Sequence, residues 1–215
     1  MSEQRLAEIG RTTAARLKRT AGVQIVNGVG IDLFVRQGFL TPQECAGLIA
    51  MIDADRKPSA LLTTDPDPKF RTSESCDLDR WDPFVEALDQ RVCTFMGMKA
   101  RQGETLQGQR YAVGQQFKAH HDYFHADQPY WPDERTRGGQ RCWTAMIYLD
   151  EPAGGGETMF VHAGLKVTPR TGMLLAWNNM NAEGKPNIQS MHESLPVNAG
   201  VRNIVTKWYR ERFWA

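Results

Sequence analysis

The first hundred residues carry apolar positions at helical spacing, and this pattern predicts three helices joined by short strands and loops. Residues 3–20 are charged and rich in alanine, with Leu6, Ile9 and Leu17 as sparse apolar positions. We therefore expect a helix that packs on the body rather than inside its core. Between residues 22 and 39, β-branched and aromatic residues alternate loosely with glycine and polar residues, which predicts one or two short strands.

The two other helices have clear start signals. Thr41-Pro42-Gln43-Glu44 offers an N-cap, a proline in the first turn and a capping-box glutamate. Asp82-Pro83 is a second such start, and the apolar residues after it predict a helix with a buried face. Residues 57–69 contain three prolines and are predicted to form a loop, followed by a short strand over residues 70–73.

The pattern changes after Gly103. Short segments rich in aromatic and β-branched residues now follow one another, separated by glycine and proline. They cover residues 107–117, 119–124, 141–149, 157–161, 165–168, 172–177, 189–195 and 201–210. Such a series is typical of an all-β sandwich or barrel. We therefore expect an α+β fold in a single domain, residues 1–215, with a helical and β support region (1–103) and a jelly-roll that carries the chemistry (104–215).

Length and composition exclude several classes of protein. The chain has 215 residues, 41% of them hydrophobic and 24% charged, with a formal net charge of +1. This is the size of one domain and gives no basic footprint for nucleic acid. The longest apolar runs are too short to span a bilayer, and the N-terminal segment lacks the apolar core of a secretory signal. The four cysteines have no CxxC spacing, so we expect reduced, packed thiols and a cytoplasmic protein.

The strongest chemical signal lies in the stretch from Phe117 to Phe124. On a strand, residues i and i+2 point to the same face, so His120 and Asp122 would lie side by side. With the distant His192 they form the set of two histidines and one carboxylate that holds non-haem Fe(II) and leaves coordination positions open. The alternatives are a polar surface strand for the first pair and a structural histidine for His192.

The last predicted strand, residues 201–210, offers a second candidate site. Its period-2 pattern places Arg202, Thr206 and Trp208 on one face and Lys207 on the other. A buried arginine is costly without a partner and favours a bidentate carboxylate. An inward-facing Arg202 therefore predicts a site for an organic acid. The opposite orientation, with Lys207 inside and Arg202 in solvent, fits the strand pattern about equally well.

Several motifs, taken in order, resemble the catalytic domain of the prolyl 4-hydroxylases, within the Fe(II)- and 2-oxoglutarate-dependent dioxygenases. The resemblance covers most of the chain after about residue 30. The matching stretches are Phe39–Ile49, Arg71-Thr72-Ser73, Tyr111–Phe124, Gly138–Arg141 leading to Tyr148-Leu149, Gly155-Gly156-Glu157-Thr158, and His192 followed after ten positions by Arg202.

The resemblance implies a double-stranded β-helix (jelly-roll) core with N-terminal helices packed against it. It implies that His120, Asp122 and His192 bind iron, and that Arg202 grips the distal carboxylate of 2-oxoglutarate. Many collagen-type members carry lysine at the position of Arg202. Arginine keeps the charge and adds a bidentate fork, so the co-substrate assignment stands while the subfamily stays open.

Three further residues, Tyr111, Tyr148 and Thr158, match positions that hydrogen-bond this carboxylate in the family. The reaction that the resemblance implies is hydroxylation of a prolyl residue in a peptide or protein. Fe(II) would be the metal, 2-oxoglutarate and O2 the co-substrates, succinate and CO2 the co-products, and ascorbate a candidate accompanying reductant. The iron does the difficult chemistry, while the protein positions the substrate.

A third set of residues matches the substrate side of the family. Arg141 and Trp208 match residues that line the peptide groove, and Arg71 and Ser73 fit a substrate-side loop. Phe117 stands where a tyrosine is common. The resemblance therefore implies a groove for a peptide, in which Phe117 lacks the hydroxyl of that tyrosine.

Two other functions remain open at this point. In the first, the protein is an enzyme whose substrate is a free amino acid or another small molecule. A closed, charge-lined pocket over Arg141 would favour this function. The second is a β-helix module that holds metal without catalysis. Residues 57–69 and 127–137 are candidate lids, with exposed loops as the alternative. We expect neither a nucleic acid nor a membrane as partner.

Overall fold

The structure, a computed structural model, describes residues 2–61 and 67–214. The helices in these ranges are α1 (Ser2–Arg19), α2 (Pro42–Asp55), α3 (Pro83–Met96) and α4 (Trp131–Thr136). The strands are β1 (Val23–Val26), β2 (Leu33–Arg36), β3 (Lys57–Pro58), β4 (Glu74–Asp77), β5 (Gln107–Tyr111), β6 (Phe117–His120), β7 (Arg141–Tyr148), β8 (Gly154–Gly155), β9 (Thr158–Phe160), β10 (Leu165–Val167), β11 (Leu174–Asn178), β12 (His192–Ser194), β13 (Val197–Ala199) and β14 (Arg202–Arg210). None of the helices in the described ranges has the length and apolar character needed to cross a membrane.

Both predicted helix starts are confirmed. The Thr41 hydroxyl accepts a hydrogen bond from the backbone N–H of Glu44, and the Glu44 carboxylate accepts one from the backbone N–H of Thr41. This closed capping box satisfies two N–H groups at the start of α2. The Asp82 carboxylate accepts two backbone N–H bonds in the first turn of α3. Gly97 caps the end of that helix, and its φ of 68° is a left-handed conformation that glycine adopts without strain.

α1 lies deeper than the sequence pattern predicted, and the expectation of a helix outside the core is wrong. Leu17 is fully buried and joins the main hydrophobic core together with Leu6 and Ala14. The helix approaches closely because Gly10 faces Asn178, where a Cβ at position 10 would lie 2.8 Å from the side-chain nitrogen. The inner face of α1 has few large apolar side chains, but its small residues let the helix backbone come close to the sheet. Close packing then supplies dispersion contacts that the missing large side chains would otherwise provide.

Two antiparallel sheets face each other and form the predicted jelly-roll. The larger sheet has the order β1-β2-β11-β7-β14-β5-β4-β3, and the smaller one has the order β10-β9-β12-β6. One apolar cluster joins the helices to the outer face of the larger sheet. A second cluster lies between the sheets and contains Tyr148 from β7 and Phe160 from β9. The candidate site residues line this second space.

β14 is buried on both faces, which decides between the two orientations considered for it. Val205 and Tyr209 point toward the helices, while Ile204 belongs to the cluster between the sheets. Arg202 shares the face of Ile204 and is fully buried, so the alternative with Arg202 in solvent is wrong. Alternation alone cannot assign the faces of such a strand, because helices cover one side and a second sheet covers the other.

Four predicted segments differ in their details. The strand expected at residues 70–73 lies at β4, where it pairs with β5. The loop expected at residues 57–69 begins with β3, which pairs with β4, and its residues 62–66 lie outside the described residues. The segment 127–137, a candidate lid with an exposed loop as the alternative, contains α4, and the buried Glu134 carboxylate in this helix accepts a hydrogen bond of 2.7 Å from Arg210. In the fourth segment, residues 119–124, the strand ends already at His120.

The four cysteines are all buried and none forms a disulfide within the described residues. They pack as small apolar side chains, as the sequence predicted. Burial raises the pKa of Cys45 to about 11 and that of Cys142 to about 12. These thiols therefore stay protonated at neutral pH and are poor nucleophiles and poor metal ligands.

Candidate metal centre

The smaller sheet brings the two histidines together. His120 ends β6 and His192 begins β12, and the two residues are direct partners in the antiparallel ladder. The Nε2 atom of His120 lies 3.8 Å from one carboxylate oxygen of Asp122, and the Nε2 atom of His192 lies 3.8 Å from the other. One ligand atom from each residue lies within 4.8 Å of the others. This is the expected set of ligands on one side of a metal ion.

Both histidines direct their Nε2 atoms to this point. The Nδ1 atom of His120 lies 2.8 Å from the carbonyl oxygen of Lys118, and the Nδ1 atom of His192 lies 2.9 Å from that of Ser190. A carbonyl only accepts, so Nδ1 carries the proton and donates in each ring. This arrangement fixes the tautomer and the orientation of a metal-binding imidazole.

Asp122 does not lie on a strand, so the expected strand at residues 119–124 is wrong. β6 ends at His120, and the carboxylate is held from outside the sheet instead. The Thr144 hydroxyl donates a hydrogen bond of 2.7 Å to Asp122 Oδ2, and the Asn179 side chain donates one of 3.0 Å to Thr144 Oγ1. Sequence reasoning missed both supporting residues. The sequence did carry one signal for Thr144: alternation along β7 places it on the same face as Tyr148, a predicted site residue.

The titration behaviour of the site suits metal binding. Burial, together with the nearby His192, lowers the pKa of His120 to about 3. Burial by itself would raise the pKa of Asp122, but the two histidines and the Thr144 hydroxyl hold it below its ordinary value. At neutral pH His120 is therefore neutral and the carboxylate is ionised, which are the forms that bind a metal ion.

A buried cation lies at the other end of the same space. Arg202 is fully buried, and its Nη2 atom donates a hydrogen bond of 3.0 Å to Thr158 Oγ1. Its guanidinium carbon lies 4.9 Å from the ring centre of Tyr111 and 5.4 Å from that of Tyr148. Its Nε and Nη1 atoms have no partner among the described residues. Unpaired donors on a buried charge are costly, so the donor set fits an anion, most of all a carboxylate.

The Thr158 hydroxyl is arranged to serve the same anion. It accepts hydrogen bonds from the Tyr148 hydroxyl at 2.6 Å and from Arg202 at 3.0 Å. A hydroxyl oxygen has two lone pairs and one hydrogen, so both acceptor positions are used and its own hydrogen stays free to donate. Three of the four residues predicted to bind 2-oxoglutarate are thereby joined, with Tyr111 beside them.

Arg141 and Trp208 lie together on the larger sheet. The Arg141 guanidinium carbon lies 4.2 Å from the ring centre of Trp208, and two of its nitrogens donate hydrogen bonds of 2.6 Å to the two carboxylate oxygens of Glu104. Arg210 donates to the same carboxylate at 2.8 Å. Sequence reasoning missed Glu104, although it lies three residues before a predicted strand. This carboxylate fixes Arg141 as a bidentate pair, while the indole N–H of Trp208 has no partner in the described part of the chain.

Arg71 lies against the ring that supports a metal ligand. Its guanidinium carbon is 4.8 Å from the centre of the Phe117 ring, and Phe117 stacks on His120 with ring centres 3.6 Å apart and an interplanar angle of 14°. Arg71 donates hydrogen bonds to the Ser73 hydroxyl, to the Ala60 carbonyl and to a side-chain amide oxygen. All three acceptors are neutral. The structure thus brings the predicted substrate-side arginine beside the metal centre.

Comparison with known proteins agrees with this geometry. The sequence profile of the 2OG-Fe(II) oxygenase superfamily matches residues 106–210. The chain is 31% identical to prolyl 4-hydroxylase 1 of Arabidopsis thaliana over 204 residues, which cover 84% of this chain and 69% of that protein. It is 32% identical to probable prolyl 4-hydroxylase 4 of the same plant over 201 residues, covering 81% of this chain and 66% of that protein. The chain therefore spans slightly less than two thirds of this second relative.

Solved structures show the same likeness. A viral collagen prolyl hydroxylase from Paramecium bursaria Chlorella virus-1, in complex with 2OG, matches with a TM-score of 0.65 and 26% identity, covering 82% of this chain and 94% of that chain. A prolyl-4-hydroxylase of Pseudomonas putida matches with a TM-score of 0.58 and 22% identity, covering 93% of this chain and 99% of that chain. The second match, at this identity, supports the fold alone.

Proposed function

The chain belongs to the prolyl 4-hydroxylases of the 2OG-Fe(II) oxygenase superfamily, and from this membership we propose that it hydroxylates a prolyl residue in a peptide or protein. The reaction consumes O2 and 2-oxoglutarate. One oxygen atom enters a C–H bond of the substrate and the other enters succinate, with loss of CO2. Ascorbate is the proposed accompanying reductant.

One observation carries the proposal: a metal-binding triad and a buried arginine with unpaired donors line the same space between two sheets. A metal site alone would fit many proteins, and an anion site alone would fit many more. Their combination fits a dicarboxylate that reaches the metal at one end and a fixed cation at the other. Fixing the orientation of a reactant in this way accounts for much of what such a site contributes to rate.

We assign the roles in the site as follows. His120, Asp122 and His192 hold Fe(II), which when bound supplies the activation of O2 and the oxidative decarboxylation of 2-oxoglutarate. Arg202 binds the distal carboxylate through the two donors that lack partners, and Thr158 donates its free hydrogen to the same group. Tyr111 and Tyr148 enclose that carboxylate and exclude water from it.

The substrate lies on the other side of the metal in this proposal. Arg141, held rigid by Glu104, offers its remaining donor to a substrate carbonyl. Trp208 offers a flat apolar surface and an indole N–H that has no partner within the described ranges. Arg71, which lies against the Phe117 ring, is the third residue on the substrate side. An aromatic surface beside oriented donors is the usual way of holding an extended, proline-containing chain.

The test is mass spectrometry of a panel of proline-containing peptides after incubation with enzyme, Fe(II), ascorbate and 2-oxoglutarate, with succinate measured in the same samples. A gain of one oxygen atom on a proline, matched by succinate, is the expected result. Asp122→Ala should abolish both signals because it removes a ligand. Asp55→Ala, at an exposed position at the end of α2, should leave them unchanged. Succinate without peptide oxidation would contradict the prolyl assignment.

Arg71 favours a second candidate substrate. Its hydrogen bonds go to neutral acceptors, and no carboxylate lies within ion-pair distance of it among the described residues. A substrate with its own carboxylate, such as a free amino acid, would supply the missing charge. Free L-proline in the same assay separates the two: oxidation of the free amino acid at a higher kcat/KM than any peptide supports the small-molecule substrate, and the reverse supports the peptide.

We also propose a cytoplasmic location, with neither a nucleic acid nor a membrane as partner. The four unpaired, buried thiols support a reducing compartment, and the net charge of +1 supports the absence of a nucleic-acid partner. Fractionation of cells that produce the natural protein would test the location.

A further inference from the structure

The inner face of β5 carries an unusual row of polar side chains. Gln107, Gln109 and Tyr111 alternate along the strand, so they share the face that points into the space between the sheets. Tyr111 lies opposite Arg202 in the ladder. Gln109 is only 4% exposed, and a buried amide in this position requires hydrogen-bond partners.

Gln109 finds its partners within the site. Its Oε1 atom accepts a hydrogen bond of 2.9 Å from the Tyr111 hydroxyl. Its Nε2 atom lies 3.4 Å from Thr206 Oγ1 and 3.3 Å from Gln107 Oε1. The Gln107 oxygen also accepts a hydrogen bond of 3.1 Å from Arg71. On one side the amide of Gln109 contacts Gln107, whose oxygen also accepts from Arg71, and on the other side it contacts Tyr111, a predicted co-substrate residue.

An amide has a property here that no apolar or purely acidic side chain shares. The Tyr111 hydroxyl has one hydrogen, which it donates to Gln109. If a carboxylate bound at Arg202 takes that hydrogen, the Tyr111 oxygen needs a donor in exchange. A half-turn of the amide brings Nε2 to the tyrosine oxygen and Oε1 to the Thr206 hydroxyl, which donates, and it gives up the weak contact of 3.3 Å with Gln107 Oε1. Gln109 therefore satisfies Tyr111 in both orientations of its hydroxyl.

We propose that Gln109 is a positioning residue for the co-substrate, acting through the Tyr111 hydroxyl. It aims this hydroxyl at the distal carboxylate and strengthens its donation by donating to the same oxygen. The inference rests on the proposed function, because it takes a dicarboxylate as the ligand at Arg202.

The test is a double-mutant cycle on ligand binding rather than on turnover. The Mn(II)-loaded protein is titrated with N-oxalylglycine, an unreactive analogue of 2-oxoglutarate, by calorimetry. Gln109→Leu and Tyr111→Phe should each weaken binding by about fivefold, since each breaks one hydrogen-bonded unit. The double variant should be no weaker than either single one, because both changes remove the same interaction.

Gln109→Glu is the matched control for the amide. It keeps the size and an acceptor for the Tyr111 hydroxyl, but it has no donor to return and adds a negative charge. It should therefore weaken binding more than Gln109→Leu does. If Gln109→Leu does not fold, as judged by its thermal unfolding, Gln109→Met takes its place in the cycle.

A kinetic readout separates positioning from general damage. Gln109→Leu should raise the KM for 2-oxoglutarate by about the same factor as the dissociation constant and leave kcat within twofold. Additive effects in the cycle, or a loss confined to kcat, would overturn the inference. Failure of the wild-type protein to bind N-oxalylglycine would instead remove the proposed function itself, and with it this inference. Binding by the wild type with additive variants would leave the proposed function intact.

Discussion

Replacing Arg202 with methionine should stabilise the ligand-free protein while it abolishes co-substrate binding. The guanidinium is fully buried, donates a hydrogen bond to Thr158 and has two nitrogens without partners among residues 2–61 and 67–214. Exchanging a poorly paired buried charge for an apolar side chain of similar length stabilises by about 1–4 kcal/mol. Lost cation–π contact with Tyr111 and Tyr148 offsets about 1 kcal/mol of this. We expect a net gain of about 0–3 kcal/mol.

Urea unfolding of the Mn(II)-loaded protein, with and without N-oxalylglycine, measures both effects. The wild type should gain about 2.7 kcal/mol in the free energy of unfolding at a ligand concentration of 100 times Kd, and the Arg202→Met protein should gain nothing. Arg210→Met is the matched contrast. Arg210 is equally buried, but it is paired with Glu104 and Glu134, so its loss should destabilise by about 3–5 kcal/mol. A less stable Arg202→Met protein, or one that still responds to the ligand, would refute the reasoning.

Three further predictions concern the surroundings of the site. Thr144→Val removes the hydroxyl that holds Asp122 Oδ2 and should weaken Mn(II) affinity about 10–100-fold, measured by the electron paramagnetic resonance of free Mn(II); unchanged affinity would show that the carboxylate needs no support. Burial by itself would raise the pKa of Glu104, but the guanidinium groups of Arg141 and Arg210 outweigh burial, so the net pKa lies below the ordinary value of 4.5. The ionised Glu104 therefore contributes stability above about pH 4.5, and this contribution is lost as the pH falls through the folded-state pKa. Glu104→Gln should therefore lower stability at pH 7 and reduce its loss on acidification, as urea unfolding at a series of pH values would show; parallel profiles would contradict this. Gly108→Ala should destabilise by about 1–3 kcal/mol because a Cβ would lie 2.4 Å from Ile52 Cγ1, and an unchanged thermal midpoint would show that α2 can shift away from the sheet.

Much of the site was readable from local sequence because its chemistry depends on a few residue types at set intervals. His120 and Asp122 stand two apart, and Arg202 follows His192 by ten positions. The capping signals at Thr41 and Asp82 were readable for the same reason, since a cap is an interaction between neighbours in the chain. The family resemblance then supplied the jelly-roll, which the two facing sheets confirm.

The residues that support the site were not readable in this way. Thr144, Asn179 and Glu104 each contact a partner that lies 22 or more positions away in the chain. Nothing in a single sequence marks a threonine on a buried strand as the holder of a distant carboxylate. The orientation of Asp122 could not be predicted for the same reason. The strand expected to orient it ends at His120, and the distant Thr144 holds its carboxylate instead.

By itself, the sequence determined the element types with strong local signals, the ligand chemistry and the candidate for the anion site. These depend on interactions within one turn or one strand, whose periods of 3.6 and 2 are visible in any linear sequence. Only the tertiary structure decided that α1 belongs to the core, that both faces of β14 are buried and that Gln109 reaches Tyr111. Each of these depends on what packs against a residue from elsewhere in the chain, and burial by a distant element leaves no periodic trace in the sequence.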